Sequence, residues 1–337
     1  MPSGLLRVVG TFDLGQFWPQ GTSDADTVKV KVDAGAFSFR PHPSAQFSVT
    51  HAFDNAIVKG KTSKPAIEKE QIIIRLQGVD APELHFQPMP VVQKKNQTPQ
   101  QAAGWKKWSH DYRQPFGESS TIELGQELMK HGAGEIDCRV ETAVDTPDEV
   151  FDTYGRLVGD IIVPSAGDLN VNQWLAENGW AYPTFYASMT PSEIEVLRRL
   201  AGQAKTGKLG LWRFASNMVR AQDFDTALVF RGKGARPNPA ADRGKVVLPK
   251  LYRRLSTWVV SNRSKMVAGS FLSYLADKPD ELHLTGDFLQ QGPTAAAIHR
   301  LTEFIGANGA FRASPADLIF REAPSRLVNP NGSSVTW

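Results

Sequence analysis

The stretch "QIIIRLQGVDAPE", residues 71–83, restricts the possible folds of this chain more than any other segment. Its run of Ile and Leu, rich in β-branched side chains and bounded by polar residues, predicts a buried strand. That strand carries Arg75, a charged residue in a segment whose pattern otherwise predicts burial. Pro82 fixes its own φ and biases the preceding residue away from helix, so a stiff turn follows and presents Glu83.

The rest of the first 214 residues predicts further strands, one helix between strands and two helices after them. Strand patterns lie at residues 27–32, 135–144 and 153–163. Helical patterns lie at residues 118–134 and 169–178. The best-signalled helix begins after Thr190, where Pro191 and Glu193 complete a capping box. Together these elements predict an α+β fold with three helices around a small β-barrel.

The chain is expected to divide into two domains. The barrel domain is predicted over residues 1–214, with insertions at 33–70 and 84–114, and the second insertion shows no sustained period and predicts a long loop. Gly, Pro and basic residues predict a linker at 215–245. Residues 246–337 predict a mostly helical accessory domain of unknown role, with helical spacing around Leu251 and around Ile298.

Composition excludes some classes of protein. Cys138 is the one cysteine, so an internal disulfide and a cysteine-based zinc site are both impossible. The beginning of the chain does not resemble a signal peptide, and no stretch approaches 18 apolar residues. We therefore expect a cytoplasmic protein with no membrane partner. Residues 215–337 carry 16 Lys and Arg against 10 Asp and Glu, which permits a polyanionic partner there or is simply a solvated surface.

Three short blocks share one chemical theme. They are "DADT" at 24–27, "RLQGVDAPE" at 75–83 and "YGR" at 154–156, each at a strand end or turn. Carboxylate and carbonyl oxygens suit a hard divalent cation, and guanidinium groups suit a phosphodiester. Taken singly, each block has an ordinary structural explanation, because a strand arginine is usually edge-exposed or salt-bridged and "DAP" is a common turn. The ordered combination predicts a site for a metal and a phosphate.

That combination resembles the staphylococcal nuclease (thermonuclease) family, whose fold is a five-stranded OB-type barrel with three helices. The resemblance covers about residues 10–213 and rests on six blocks in the family's order, which are "DADTVKVKV", "IIIRLQGVDAPE", "FGESSTIELGQELM", "DTYGRLVGDIIV", "LNVNQWLAENGWAYP" and "SEIEVLRRLAGQAKTGKLGLW". Ala25 stands where the family usually has glycine, and Thr153 stands where compact relatives often carry a basic residue. These departures leave the choice of substrate open.

The resemblance implies roles for individual residues. The calcium ligands fall on Asp26, Asp80 and the Ala81 carbonyl, with Asp24 nearby. The general base falls on Glu83, and the phosphate-binding arginines fall on Arg75 and Arg156. Tyr154 and Tyr186 are the expected substrate-binding aromatics.

The implied activity is calcium-dependent endonucleolytic hydrolysis of DNA, with RNA as a further substrate, leaving 3′-phosphate ends. The competing interpretation is a non-catalytic nucleic-acid-binding or scaffold module on the same barrel. Retention of the acids and arginines favours the enzyme. The C-terminal domain is expected to target or regulate the barrel through a protein partner or self-association.

The insertion at 84–114 allows two interpretations. Trp105, Trp108 and Tyr112, interleaved with Lys106 and Lys107, would form a platform on which bases stack, as in single-strand binders. Alternatively, the aromatic side chains dock the insertion onto the barrel, and this second interpretation is the favoured one.

Overall fold

The computed structural model describes residues 2–61, 63–238, 240, 242–278, 280–321 and 325–337. Its strands are β1 (Leu5–Asp13), β2 (Thr27–Lys31), β3 (Phe37–Arg40), β4 (Ser48–Val49), β5 (Ile57–Lys59), β6 (Ser63–Pro65), β7 (Gln71–Leu76), β8 (Val79–Asp80), β9 (Glu135–Ala143), β10 (Leu157–Val163), β11 (Leu169–Asn170), β12 (Tyr182–Pro183), β13 (Phe185–Tyr186), β14 (Glu281–Leu284), β15 (His299–Arg300), β16 (Leu318–Phe320) and β17 (Arg326–Val328). Its α-helices are α1 (Pro99–Trp108), α2 (Gly117–Met129), α3 (Val171–Glu177), α4 (Pro191–Thr206), α5 (Pro249–Arg263), α6 (Phe271–Ala276) and α7 (Thr285–Gln291).

Five strands close a barrel in the order β1-β2-β7-β10-β9 and back to β1. The β7–β10 pair is parallel and the other pairs are antiparallel. Alternate side chains such as Val8, Val30, Ile74 and Val140 are fully buried inside it, and each contributes about 1.5–3 kcal/mol relative to exposure. The mixed α+β fold with an OB-like barrel is therefore confirmed.

The first strand of the barrel, β1, is not predicted by the sequence pattern. Leu6, Val8 and Phe12 alternate inward, but Gly10 interrupts the apolar series. A Cβ at Gly10 would lie 2.2 Å from the backbone oxygen of Lys31. The glycine is therefore needed for close approach of two strands, the usual reason for glycine inside a strand.

The helices on the barrel follow their predicted signals. The capping box at Thr190 is present, and the buried face of α4 includes Ile194, Leu197 and Ala201. Asn170 caps α3 through its side chain. The predicted helix at 118–134 is α2, although it ends at Met129.

The second insertion is not the predicted long loop, because it contains α1. Thr98 and Gln101 form a capping box with Pro99 at the first helical position. Trp105 and Trp108 pack against a second hydrophobic core, and Tyr112 is fully buried. The aromatic side chains dock the insertion, so the stacking-platform interpretation is not supported.

The C-terminal region is less helical than predicted. Helices α5, α6 and α7 are present, but the helix predicted around Ile298 is wrong. In its place β15 pairs with β14 and a 3₁₀ turn follows at Leu301–Phe304. The segment lies between Gly292 and Gly306, too short for the predicted helix to outweigh pairing at the open edge of β14.

The C-terminal region packs directly on the barrel region. Strand β16 extends β13, and β17 extends the β5–β6 hairpin of the first insertion. The predicted linker is held as well, since Asp242 accepts hydrogen bonds from the backbone N–H groups of Phe116 and Ser119. The second core combines Tyr112, Phe116 and Tyr182 with side chains of α5. The domain boundaries stay a prediction.

In the part of the chain that the structure describes, none of the helices has the length and apolar character needed to cross a membrane.

Candidate active site

The buried arginine of the strand lies between two carboxylates. Thr27 is the register partner of Arg75 across the β2–β7 pair, so the turn before β2 is brought beside the end of β7. Arg75 Nη1 lies 2.7 Å from Asp26 Oδ2, and Nη2 donates to Asp80 Oδ1 at 2.7 Å. Arg75 is therefore salt-bridged in the core, which is one of the ordinary structural explanations for an arginine in a strand.

The stiff turn after the strand fixes the acids through backbone hydrogen bonds. Ala81 N donates to Asp26 Oδ2 at 2.7 Å, and Leu84 N donates to Asp24 Oδ1 at 3.1 Å. Strand β12 pairs with β8, which leaves Asp80 fully buried. Two separated blocks of the sequence thus form one network of acids and a guanidinium group.

The third block reaches this network through a hydroxyl group. Arg156 Nη1 donates to Thr27 Oγ1 at 3.4 Å, and Thr27 Oγ1 donates to Asp26 Oδ1 at 3.2 Å. Asp152 holds the Arg156 guanidinium, with Nε to Oδ2 at 2.8 Å. The Arg156 side chain is 27% exposed, so it is the more accessible of the two predicted arginines.

The aromatic residue beside Arg156 stands at the surface among cations. Tyr154 is 56% exposed, and the Arg156 guanidinium lies 5.5 Å from the centre of its ring. Lys61 Nζ lies 2.5 Å from the Tyr154 hydroxyl and 4.0 Å from the ring centre. The backbone of Lys61 also bonds the Thr153 carbonyl, and Lys64 packs over Gly155. The β5–β6 hairpin therefore brings two lysines to the position where Thr153 lacks a positive charge.

The other predicted aromatic residue lies deeper. Tyr186, on β13, is partly buried, with its ring 6.3 Å from that of Phe320. Burial lowers the pKa of Arg75, but Asp26 and Asp80, and after them Tyr186, raise it above its usual value.

One residue of the site was not predicted from the sequence. Arg253, on α5, contacts both Asp80 and Glu83. Its Nη2 donates to Asp80 Oδ2 at 3.0 Å and its Nη1 to Asp80 Oδ1 at 3.2 Å, and Nη1 also donates to Glu83 Oε1. In the sequence Arg253 is one of two adjacent arginines on an amphipathic helix. That pattern is typical of a solvated face and gives no signal for this contact.

Burial and the arginines have opposite effects on the pKa values of the acids. Burial opposes ionisation of Asp80, but the charges of Arg253 and Arg75 together hold its pKa below the usual range. Burial raises the pKa of Glu83 to about 7, and Arg253 only partly offsets this. Burial and the neighbouring acids Glu83 and Asp26 raise the pKa of Asp24 well above its usual value. Glu83 thus titrates close to neutral pH.

The donor set suits calcium in its chemistry. Carboxylate oxygens of Asp26 and Asp80 and the carbonyl of Ala81 are hard ligands of the kind that this ion prefers. Within the described ranges, no group of three or more His, Cys, Asp or Glu side chains is arranged to hold a metal ion. At Asp80 both oxygens accept hydrogen bonds from guanidinium groups.

Comparison with known proteins agrees with this geometry. The family model described as staphylococcal nuclease homologue matches residues 73–214. Residues 73–214 therefore form a staphylococcal nuclease-homologue domain. No match to the chain was found among curated proteins. The matched range contains Arg75, Asp80, Glu83 and Arg156, whereas Asp26 and Arg253 lie outside it. The nuclease-homologue domain thus connects the protein with nucleases and nucleic-acid-binding proteins.

Proposed function

We propose that this protein is an endonuclease that hydrolyses phosphodiester bonds of DNA, and of RNA as a second substrate. The observation that carries the proposal is the convergence of Asp26, Arg75, Asp80 and Glu83 at one end of the barrel, with Arg156 joined to them through Thr27. Burying four charged groups in one network is costly, which favours a functional role over a purely structural one.

Glu83 is proposed as the general base. A base works best when its pKa lies near the working pH, and burial brings the pKa of Glu83 to about 7. Its carboxylate would take the proton of the attacking water. The 5′-oxygen would leave, so that 3′-phosphate ends remain.

Arg156 is proposed to hold the phosphate. Its guanidinium is partly exposed, and its ion pair with Asp152 sets its direction. A guanidinium group stabilises the charge that develops on phosphoryl oxygens in the transition state. Arg75 donates to two carboxylates, so its first contribution would be to orient the acids. Its direct contact with phosphate stays a prediction.

Calcium is the proposed cofactor, in keeping with the family. Asp26, Asp80 and the Ala81 carbonyl would hold it, and once bound it would polarise a phosphoryl oxygen and help to position water.

The substrate is proposed to run past Tyr154 toward the β5–β6 hairpin. The exposed ring of Tyr154 gives a base a face on which to stack. Lys61 and Lys64 would contact the neighbouring phosphate. The sequence-independent nature of these contacts favours broad specificity, with single strands entering most easily. The C-terminal region is proposed to regulate or target this activity.

Substitution of Arg156 tests the proposal. Purified full-length protein is incubated with linear DNA, circular DNA and RNA, with calcium or with a chelator, and the product ends are analysed. Cleavage is expected with calcium, and Arg156→Ala should lower the rate by about 100-fold or more. Calcium binding should stay unchanged. If the wild-type protein binds nucleic acid without cleaving it, the enzyme assignment fails and the binding module takes its place.

A further inference from the structure

Arg253 lies on the acids that the proposed function assigns to metal binding and to proton transfer. It contacts both oxygens of Asp80 and one oxygen of Glu83 from α5, far away in the sequence. We propose that Arg253 is a built-in counter-cation that competes with a divalent cation for Asp80 and Glu83, and so sets the metal affinity of the site. This inference rests on the proposed function for the identity of the metal ligands.

The position of α5 relative to Glu83 is fixed by a buried side chain. Gln114 is fully buried; its backbone N–H donates to the Glu83 carbonyl at 2.7 Å, and its side-chain oxygen accepts from Glu83 N at 3.3 Å. Its side-chain Nε2 donates to the Val247 carbonyl at 2.6 Å, just before α5. One glutamine therefore joins the turn of the site to the start of the helix, and a change in their relative position would break these bonds.

The helix is held on two further sides. The Tyr252 hydroxyl donates to the Arg113 carbonyl at 2.8 Å. Arg254 forms a two-point ion pair with Asp280, at 2.9 and 2.8 Å. Leu251 and Leu255 are buried in the second core. The backbone at Arg253 is thus anchored, and the contact with Asp80 and Glu83 is a built feature of the fold.

The side chain of Arg253 can nevertheless leave the acids. It is 30% exposed, whereas Asp80 is fully buried. An arginine has several rotatable bonds and reaches solvent while its stem stays packed. Release of the acids therefore needs rotation of one side chain and no separation of the two regions.

The charge balance favours exchange with another cation. Asp26, Asp80 and Glu83 carry three negative charges when ionised, against two positive charges on Arg75 and Arg253. Without Arg253 the acids would repel one another more strongly and attract a divalent cation more strongly. With a divalent cation bound, the positive charge of Arg253 would no longer be needed to balance the acids. Its guanidinium would then be free to contact a phosphate.

Calcium titration by isothermal calorimetry, without nucleic acid, tests this inference. The full-length wild-type protein is compared with Arg253→Ala and with Arg253→Gln, which keeps a donor but removes the charge. Both variants should bind calcium about tenfold or more tightly than wild type, because a charge in contact with the ligands has been removed. Calcium should also raise the melting temperature of both variants more than that of wild type.

Arg263→Ala is the matched control. It removes the same type of side chain from the end of the same helix, where its partners are Thr226 and the ring of Trp108. Its calcium affinity should stay within about twofold of wild type. Equal affinity in wild type, Arg253→Ala and Arg253→Gln would overturn the inference, and so would absence of calcium binding in all of them. Because no substrate is present, failure to cleave nucleic acid leaves this result unaffected.

Discussion

The position of the β5–β6 hairpin predicts a measurable effect of its lysines on substrate binding. Lys61 Nζ lies beside the Tyr154 hydroxyl and the stem of Lys64 packs over Gly155, so both lysines contact the turn that precedes Arg156. The double variant Lys61→Ala/Lys64→Ala removes two charges from the proposed path of the strand. Lys61 is exposed and Lys64 half-buried at the surface, so the fold should be retained.

The size of the effect follows from counterion release. Each phosphate contact contributes about 0.7 to the slope of log K against log salt for a single strand. Loss of two contacts should therefore lower the slope by about 1.4. Between about 50 and 200 mM salt, the variant should lose about sevenfold less affinity than wild type loses.

Fluorescence anisotropy with a labelled, cleavage-resistant single strand measures this slope, with a chelator present throughout. The double variant Lys106→Ala/Lys107→Ala is the control, because it removes the same charge from α1. There Lys107 also lies over an aromatic ring, 4.9 Å from the centre of Trp108. The substrate path is wrong if the hairpin variant keeps the wild-type slope while the α1 variant lowers it.

Two further predictions concern stability and pH. Asp242→Ala should lower the free energy of unfolding by about 3–5 kcal/mol in urea titrations, because it leaves buried Arg113 without its 2.8 Å partner and uncaps α2. The reasoning fails if Asp242→Ala costs no more than an exposed substitution such as Asp54→Ala. The rate of cleavage by wild type should rise with pH through about 7, since Glu83 must lose its proton to act as a base. Glu83→Gln should be slow and nearly independent of pH there, and an unchanged pH profile would move the base elsewhere.

Local signals were sufficient where one segment determines its own conformation. The helix after Thr190 is one example, because the capping box and the apolar stripe lie within a few turns of each other. The same signature, a Thr–Pro pair with a side chain three residues later, is present at Thr98 and begins α1. This signature is visible in the sequence, but α1 was not predicted because the segment has no apolar stripe. The stripe is absent because none of the residues of α1 is fully buried.

Tertiary pairing decided the elements that local patterns missed. The apolar spacing around Ile298 fits a helix, yet the backbone there pairs with β14 and Ile298 is 53% exposed. The alternation in β1 is broken by Gly10, whose purpose becomes visible only beside Lys31. The pattern of residues within one segment does not show how that segment pairs with a strand that is distant in the sequence.

The site shows the same limit in its charges. The acids and two arginines of the three blocks were predicted because each block is short, carries its own chemistry and matches a family motif. The structure brings these residues together, and their roles stay a prediction. The contact of Arg253 with Asp80 and Glu83 was not predicted, because these partners lie about half the chain away. No pattern in the sequence around Arg253 indicates this contact. An arginine beside another arginine on a helix is ordinarily solvated, so the pattern predicts the partner of neither Arg253 nor its neighbour Arg254, which pairs with Asp280.

The shared core determines how the role of the C-terminal region can be tested. Tyr112, Phe116 and Tyr182 from the barrel region are buried against α5 and its neighbours. A truncation after Phe214 would expose these side chains and leave buried Arg113 without Asp242. Loss of activity in that truncation would therefore report damaged packing as readily as lost regulation. Single substitutions at Arg253 leave the shared core intact, and so they separate the charge that the C-terminal region supplies from the packing that it supports.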